Sequence, residues 1–407
     1  MSSAVHPQPQ VDFLQGAPHR KHPGVTSLRT LRLPEELQRA AQSIILSARI
    51  NGLSHRVRHL TQFLWSRKRP VDDLTLRQRA TSLEKMVLQR AKEIQEDMDD
   101  AHVKRKVLTQ LKKTTYHWTP VRALNEILKR DPSFAPHSLL DFGSGLGTAV
   151  WASHSCWGDT LKEMVCVESS GPMNDLAERL LNDDGEKAQP HIKQVYFRQF
   201  LPVSPKVQFD LVLAAFSLSE LASKKERLET LRTLWRKTSS YLVLVENGTK
   251  EGHQILMEAR DTLLKTQDQK AVDSRTASVF APCPHEMACP KLAGLHIVPC
   301  NFTQHYHPLP APGSLVRQTE TFSFLILSRS DPKGDMGRDW ARLVAPVLPR
   351  PRHVHCHTCG PDGQLHHLVV TRKKHGRDVY RCARSSDWGD QLPIIQQEEA
   401  DPPSDSE

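Results

Sequence analysis

The chain has 407 residues, of which 38% are hydrophobic and 25% charged, enough for two or three folded domains with polar ends. Its formal net charge of +9 favours a polyanionic partner such as a structured RNA, although a basic protein of a basic compartment, such as the mitochondrial matrix, would carry the same charge. We find no apolar run that could span a bilayer and no secretory signal, and therefore expect neither a membrane protein nor a secreted one.

The beginning of the chain divides into two regions by composition. Residues 1–30 are rich in Pro, His, Ser and Gln and are predicted to be disordered, and their shortage of acids is compatible with the remnant of a mitochondrial presequence. Residues 31–118 carry apolar residues at helical spacing, and Pro34 followed by Glu35 and Glu36 is typical of a helix start. We predict a helical N-terminal region here.

Short apolar strands alternate with helices between residues 119 and 330. Helices are predicted over Met173–Leu181 and Lys224–Arg236, and strands over Ser138–Phe142, Met164–Glu168, Phe209–Phe216, Tyr241–Glu246 and Thr321–Ser328. Such alternation is typical of an α/β domain with a parallel, doubly wound sheet. An insertion at 281–312, rich in Pro, His and Cys, precedes the last strand.

A glycine-rich loop joins the first of these strands to the next helix. Its glycines allow a sharp turn and a close approach to a ligand, and the helix N-terminus offers free N–H groups. In this spacing the ligand is typically S-adenosylmethionine, whose ribose hydroxyls would meet an acid at the end of the second strand. The pattern predicts a class I, S-adenosylmethionine-type Rossmann fold; a Rossmann domain that has lost its ligand is the alternative. The predicted cofactor-binding residues are Asp141, Gly143, Ser144, Gly145, Gly147 and Glu168.

The loop after the fourth strand carries the catalytic groups in many base methyltransferases, commonly as an Asn/Asp-Pro-Pro-aromatic segment. Here the loop contains Phe216, Ser217, Ser219 and Glu220, which provide neither an amide nor a Pro-Pro bend. The nucleophilic cysteine of a cytosine-C5 enzyme is also missing from this loop. We therefore assign no catalytic residue.

Six of the eight cysteines lie after residue 282, which suggests a metal site in the C-terminal half. Only Cys356 and Cys359 have the C-x2-C spacing of a zinc knuckle, and a second such pair is missing. The residues themselves leave zinc and an iron–sulfur cluster open. Cys382 is expected to be packed on a strand.

The end of the chain is predicted to be a β-rich segment over 331–393, followed by a disordered acidic tail over 394–407. Its strands His366–Thr371 and Asp378–Arg381 are expected to form a hairpin with a basic turn. Alternate residues of a hairpin share a face, so this surface is predicted to contact RNA phosphates, with a merely solvated turn as the alternative. The predicted RNA-binding residues are Arg372, Lys373, Lys374, Arg377 and Arg381.

Four segments of the chain resemble those of one protein family. They are Cys-Pro-His at 283–285 with Cys-Pro at 289–290, Phe-Ser-Leu-Ser-Glu-Leu at 216–221, Val-Glu-Asn-Gly-Thr at 245–249, and Arg-Pro-Arg-His-Val at 350–354. The family is that of the mitochondrial ribosomal small-subunit assembly factors, which also has bacterial relatives. The resemblance extends from about Phe13 to Pro393.

This resemblance implies a methyltransferase fold that keeps its cofactor pocket, is catalytically silent and binds the immature small subunit, rRNA and proteins, in the mitochondrial matrix. It also implies a [4Fe–4S] cluster in a Cys-rich C-terminal part, held by Cys283, Cys289, Cys300 and Cys359. Cys359 is preferred to Cys356 because the family ligand falls six positions after the His of the His-Val pair. We expect the free protein to be a monomer. An active rRNA methyltransferase and a zinc-stabilised RNA-binding protein without cofactor are the alternatives.

Overall fold

The computed structural model describes residues 13, 14, 16–47, 119–182, 189–204, 206–265, 277–294, 297–309, 317–329, 335 and 337–394. In this part of the chain two β-sheets form, and α-helices cover both faces of the larger one. Residues 48–118 of the predicted helical region and 395–407 of the predicted tail lie outside the described residues. The domain boundaries that we predicted at 119, 331 and 394 stay predictions.

The helices are α1 (Glu35–Ser47), α2 (Pro120–Arg130), α3 (Thr148–Trp157), α4 (Gly171–Leu181), α5 (Lys224–Lys237), α6 (Lys250–Lys265), α7 (Arg372–His375) and α8 (Arg377–Ser385). The strands are β1 (Ser138–Phe142), β2 (Glu163–Val167), β3 (Val195–Arg198), β4 (Phe209–Ala215), β5 (Thr238–Asn247), β6 (Ser278–Ala281), β7 (Phe302–Tyr306), β8 (Gln318–Ser328), β9 (Ala341–Leu343), β10 (Leu348–Pro349), β11 (His353–Cys359), β12 (Leu365–Thr371) and β13 (Gln391–Leu392). Short 3-10 turns occupy His19–Lys21, Gly158–Thr160, Leu218–Glu220 and Pro290–Leu292. Among the described helices, none combines the length and the apolar character that crossing a membrane requires.

The larger sheet confirms the predicted α/β architecture and corrects one feature of it. Its strand order is β3-β2-β1-β4-β5-β8-β6, and β7 also pairs with β8. Strands β1 to β5 run parallel, as predicted, whereas β8 is antiparallel to β5, β6 and β7. The sheet is therefore mixed, since a long connection leads the chain back in the opposite direction before β8.

The two faces of the larger sheet bury alternate residues of each strand. Leu139, Leu213 and Val243 pack with α2, α3 and α4, whereas their neighbours Leu140 and Val212 pack with α5 and α6. Because both faces are covered, the central strands read as continuous apolar runs, and their bounds could be predicted closely.

The smaller sheet has the order β10-β11-β9-β13, with β12 paired to β11. Its hairpin is formed by β11 and β12, so the predicted strand at Asp378–Arg381 is wrong: α8 occupies residues 377–385. Val379, Cys382 and Ala383 are the buried residues of α8, and the spacing i, i+3, i+4 is that of a helix face. Cys382 is therefore buried on a helix and not on a strand. Gly376, with a φ of 80°, separates α7 from α8.

Residues 16–31, which we call the N-terminal segment, pack against the smaller sheet, so the prediction of disorder does not hold there. The buried His22 Nε2 lies 2.8 Å from Ser386 Oγ. The N–H groups of Thr26 and Ser27 donate to Asp390 Oδ1 at 2.9 and 2.8 Å. Hydrogen bonds, not an apolar stripe, hold this segment, and its composition therefore gave no sign of order.

A buried ion cluster joins α2 to the smaller sheet. The carboxylate of Glu126, 0% exposed, accepts hydrogen bonds from Arg122 Nη1 and Arg342 Nη1, each at 2.9 Å. Arg122 Nη2 also donates to Thr26 Oγ1 at 2.9 Å, and Arg342 Nη1 to Gly389 O at 2.7 Å. Burial alone raises the pKa of Glu126, but the charges of Arg342, Arg122 and Arg130 outweigh it and lower the pKa from 4.5 to about 2.

Replacing Glu126 with Gln should strongly destabilise the fold, because buried guanidinium groups lose their counter-charge. We expect the free energy of unfolding at pH 7, measured in urea, to fall by about 3–5 kcal/mol. Because the pKa of Glu126 is lower in the folded than in the unfolded protein, its charged carboxylate stabilises the fold fully above pH 4.5 and progressively less as the pH falls towards 2. The free energies of unfolding of the variant and the wild type should therefore converge over that range. The control is Glu229→Gln at an exposed site, with an expected change within about 0.5 kcal/mol. Equal stability of Glu126→Gln and the wild type at pH 7 would contradict this role.

Candidate functional site

The glycine loop follows β1 and leads into α3. Gly143, Gly145 and Gly147 have φ values of 69°, 52° and 74°, a region of backbone conformation that favours glycine. A Cβ at Gly143 would lie 2.4 Å from the Cβ of Ser217, so this position also needs glycine for space. The loop therefore passes close to the loop that follows β4.

The predicted acid at the end of the second strand lies beside this loop. The N–H groups of Gly143 and Ser144 donate to Val167 O, at 2.9 and 3.1 Å. The Gly145 N–H donates to Glu168 Oε2 at 3.2 Å, and the Ser170 N–H to Glu168 Oε1 at 3.0 Å. The half-buried Glu168 carboxylate is thus fixed next to the glycine loop. All six predicted cofactor-binding residues come together at the carboxyl ends of β1 and β2.

Several buried polar atoms in and beside the loop have no hydrogen-bond partner among the described residues. Asp141 Oδ2, Asn174 Oδ1 and Ser217 Oγ are three of them. Burial, with a smaller effect of the Glu168 charge, raises the pKa of Asp141 to about 8, so this carboxyl is mostly protonated at neutral pH. Buried polar groups are normally paired, so these atoms are able to bond to a polar ligand or to water. The sequence analysis did not assign Asn174 or Ser217 to the cofactor site, since Asn174 belongs to no motif and Ser217 was noted only in the loop after the fourth strand.

A further carboxyl group lies under the loop that follows β4. Glu246 on β5 is fully buried, and its Oε1 accepts the Ser219 N–H at 3.1 Å. Burial raises the pKa of Glu246 to about 7. The sequence offers only an acid near the end of a strand, a common feature, so its burial could not be predicted.

The cysteine-rich insertion is a loop between β6 and β7, and both of these strands pair with β8. It begins after β6, where Ala281 pairs with Ile326 of β8, and ends before β7, where Phe302 pairs with Phe322 of β8. Its two ends are therefore only four β8 residues apart. This geometry brings Cys283, near the beginning of the loop, back towards Cys300, near its end.

The four predicted cluster ligands lie close enough together for the charge of one thiolate to raise the pKa of another. Burial raises the pKa of Cys359, and the charges of Cys283, Cys300 and Cys289 raise it further. Burial raises the pKa of Cys300 to about 12, with Cys283 and Cys289 adding to the rise against the opposing charge of Lys291. No three His, Cys, Asp or Glu side chains among the described residues are close enough to hold a metal ion.

The two candidates for the fourth ligand differ in their surroundings. Cys356 is 0% exposed in the core of the smaller sheet, and burial is the one cause that raises its pKa, to about 12. Residues three apart on a strand point to opposite faces. On β11, Cys359 faces the other three cysteines, whereas Cys356 faces the core.

Basic and imidazole groups surround the four thiols. Arg260 Nη1 donates to Cys283 Sγ at 3.8 Å, His253 Nε2 lies 3.6 Å from Cys289 Sγ, and His285 Nε2 lies 3.3 Å from Cys359 Sγ. Arg260 is fully buried, so its positive charge acts on the thiols with little screening. His253 and Arg260 were missed in the sequence because both come from α6, where their spacing of seven looks like ordinary helix packing.

The predicted RNA-binding residues are exposed but do not lie on a hairpin. Arg372, Lys373 and Lys374 are on α7, and Arg377 and Arg381 are on α8. The argument from alternating strand residues is therefore wrong. Instead Arg377 and Arg381 share a helix face at i and i+4, which is also a common arrangement for solvated charges.

Comparisons with known proteins give a consistent family. The family described as "Mitochondrial small ribosomal subunit Rsm22" matches residues 107–393. The Homo sapiens protein named "Ribosome assembly protein METTL17, mitochondrial" is 47% identical over 408 residues, covering 94% of this chain and 87% of that protein. "Rsm22-cox11 tandem protein 2, mitochondrial" of Schizosaccharomyces pombe is 28% identical over 303 residues, covering 66% of this chain and 40% of that protein.

Solved structures with some likeness include two methyltransferases with bound SAH. Magnesium protoporphyrin IX methyltransferase from Synechocystis PCC 6803 has 12% identity and a TM-score of 0.32, covering 60% of this chain and 95% of that one. The plantazolicin methyltransferase BpumL has 11% identity and a TM-score of 0.32, covering 60% of this chain and 99% of that one. The fold assignment rests on the strand order and directions given above.

Proposed function

The chain belongs to the mitochondrial small ribosomal subunit Rsm22 family, and we propose that it is an assembly factor of that subunit. The observation that carries this proposal is the 47% identity, over 94% of the chain, to a human mitochondrial ribosome assembly protein. The predicted mitochondrial matrix location is confirmed, since the human and yeast relatives are mitochondrial proteins. The net charge of +9 supports rRNA as part of the binding partner.

The glycine loop is proposed to bind S-adenosylmethionine. Its turn, the adjacent carboxylate of Glu168 and the unpaired buried atoms of Asp141 and Ser217 fit a ligand with hydroxyl and amine groups. In this arrangement Glu168 would accept the ribose hydroxyls, and the backbone at Gly143, Ser144, Gly145 and Gly147 would line the methionine part.

We propose that this pocket is catalytically silent. Methyl transfer to a base needs a group that positions the acceptor and handles its proton, and the loop after β4 offers no amide for that task. One observation favours the alternative, an active rRNA methyltransferase. The buried carboxyl of Glu246, with its pKa raised to about 7, could accept a proton near neutral pH if substrate reached it.

The four cysteines are proposed to hold a [4Fe–4S] cluster, with Cys283, Cys289, Cys300 and Cys359 as ligands. The donor set fits, because two buried and two half-buried thiols, three from the insertion and one from β11, lie near one another and near Arg260. The cluster would join the insertion to β11.

The basic residues of α7 and α8 are proposed to contact rRNA. Arg372, Lys373, Lys374, Arg377 and Arg381 are exposed, and phosphate neutralisation by such residues provides affinity without sequence specificity.

Replacing Gly145 with Val should remove S-adenosylmethionine binding, because a branched side chain would enter the loop at a positive φ. We expect the affinity measured by calorimetry to fall at least about tenfold. The matched control is Gly158→Val, which has a similar φ of 53° and open space around it but lies outside the loop. Gly158→Val also places a branched side chain at a positive φ, but outside the loop, and should still bind. Absence of binding to the wild-type protein would overturn the cofactor proposal.

Replacing Cys359 with Ala should remove the cluster, whereas Cys356→Ala should keep it. Protein purified without oxygen is expected to be brown and to contain about four irons per chain. Cys359→Ala should lose both the iron and the visible absorption and should melt at a lower temperature, since metal binding contributes folding energy. Equal iron in the two variants would contradict the ligand assignment. Colourless wild-type protein with one zinc per chain would favour the zinc alternative.

Rescue of mitochondrial translation in depleted cells tests the proposed function itself. We expect Gly145→Val to restore translation and Cys289→Ser to fail at equal protein level, because assembly needs the intact binding surface and not methyl transfer. Failure of Gly145→Val, with loss of an rRNA methyl group that purified wild-type protein can restore, would establish the enzyme alternative.

A further inference from the structure

A cleft of about 560 Å³ lies between the N-terminal segment and α8. Its lining includes Arg20 from the N-terminal segment, Tyr380, Arg381 and Arg384 from α8, and Pro351 from the turn before β11. The volume is in the range of clefts that hold small ligands or parts of larger ones. None of its lining residues belongs to the glycine loop or to the cysteine group.

The charge of the cleft is positive. Three guanidinium groups line it, and none of them is part of an ion pair among the described residues. The acid nearest in sequence, Asp378 in the first turn of α8, is already paired with His19, whose Nε2 lies 2.8 Å from its Oδ1. An anionic ligand is therefore the natural occupant, and guanidinium groups suit the oxygen atoms of a phosphate.

The aromatic residue of the cleft is held in place. Arg384 Nη1 donates to Arg350 O at 2.7 Å and to Tyr380 Oη at 3.1 Å. The Arg384 guanidinium carbon lies 5.7 Å from the centre of the Tyr380 ring. An aromatic ring and a planar guanidinium that fix each other form a surface on which a nucleobase can stack.

The opposite wall is fixed as well. His22, two residues after Arg20, is buried and lies 2.8 Å from Ser386 Oγ, directly after the end of α8. The Gln391 N–H donates to Gly24 O at 2.8 Å. The cleft therefore exists before a ligand binds, and little ordering of the backbone opposes binding.

We propose that this cleft binds one nucleotide of single-stranded RNA, with its phosphate on Arg20, Arg381 and Arg384 and its base against Tyr380. A base can reach the ring only when it is unpaired and unstacked, so a loop or bulge fits and a continuous duplex does not. This inference rests on the proposed function as an rRNA-binding assembly factor and specifies where and in what form the RNA binds. It adds Arg20 and Tyr380, which no sequence pattern identified, to the basic residues of α8.

The test measures fluorescence anisotropy of a labelled single-stranded oligoribonucleotide of about ten nucleotides, and of a duplex of equal length, with the full chain. Arg20→Ala with Arg381→Ala should weaken single-strand binding at least about tenfold and lower the magnitude of the salt slope by about one, because fewer counterions are released. Lys225→Ala with Arg232→Ala removes equal charge from the exposed face of α5 and should change the affinity less than about twofold.

Substitutions of Tyr380 separate stacking from charge. Tyr380→Leu should weaken single-strand binding about tenfold without changing the salt slope or duplex binding. Tyr380→Phe loses the hydrogen bond from Arg384 but keeps the ring and the bond from Arg384 to Arg350 O, and should bind nearly as the wild type. Circular dichroism checks that each variant folds.

Three outcomes would overturn the inference. The first is equal affinity of the cleft variants and the wild type, and the second is equal loss in the α5 control. The third is equal competition by polyglutamate and by unlabelled RNA. If the cleft variants bind as the wild type does, while the wild type binds RNA and small subunits, the inference about the cleft is wrong and the proposed function stands. If the wild-type protein binds neither RNA nor small subunits, both the inference and the proposed function are wrong.

Discussion

The carboxylate of Glu126 lies where three parts of the chain meet, and the position of the cysteine group depends on that contact. Arg342, one of its partners, sits on β9 directly opposite Cys359 of β11. The same side chain donates from Nε to Pro282 O at 2.9 Å, one residue before Cys283. One guanidinium group thus connects the helical side of the larger sheet, the beginning of the cysteine loop and the strand that carries the last cysteine. A buried ion pair adds little stability compared with well-packed apolar side chains, although removing one partner alone is costly. Its hydrogen bonds do impose strict geometry, which is what a shared ligand site needs.

The two candidate sites use the larger sheet differently. The glycine loop occupies the place where β1 and β4 end side by side, so it depends on parallel pairing and on the glycines that let the loop approach Ser217. The cysteine loop depends on the antiparallel strand β8, which borders both of its ends. Strands β6 and β7 run in the same direction along one edge of β8, so the chain leaves that edge after Ala281 and returns to it at Phe302. This shared edge, unforeseen in the sequence, is therefore what brings Cys283 and Cys300 together.

Local patterns predicted what depends on local patterns. The apolar runs of β1, β4 and β5 and the glycine loop were identified because burial on both faces and a tight turn leave direct marks in the sequence. The sequence around Glu126 is misleading. Together with Arg122 and Arg130 it forms an i, i+4, i+8 series, which usually denotes a solvated helix face, yet Arg122 and Glu126 are 2% and 0% exposed. Helix α8 was predicted as a strand at Asp378–Arg381, since its apolar residues are few and the basic residues before it suggested the turn of a hairpin. The choice of Cys359 over Cys356 came from family resemblance, and strand geometry supplies a physical reason for it.

The docking of the N-terminal segment sets an order of events for the newly made chain. His22 meets Ser386 across 364 residues of sequence, and synthesis runs from the N-terminus at about 5–20 residues per second. The segment emerges early and remains without its partner for about 20–70 s, while the strands of the larger sheet can already pair with their neighbours. Once residue 390 has been made, the Thr26 N–H can donate to Asp390, while Thr26 Oγ1 accepts a hydrogen bond from Arg122. A chain that stops short of residue 386 would leave His22, Thr26 and Ser27 without these partners, and exposed backbone of that kind is where proteases cut.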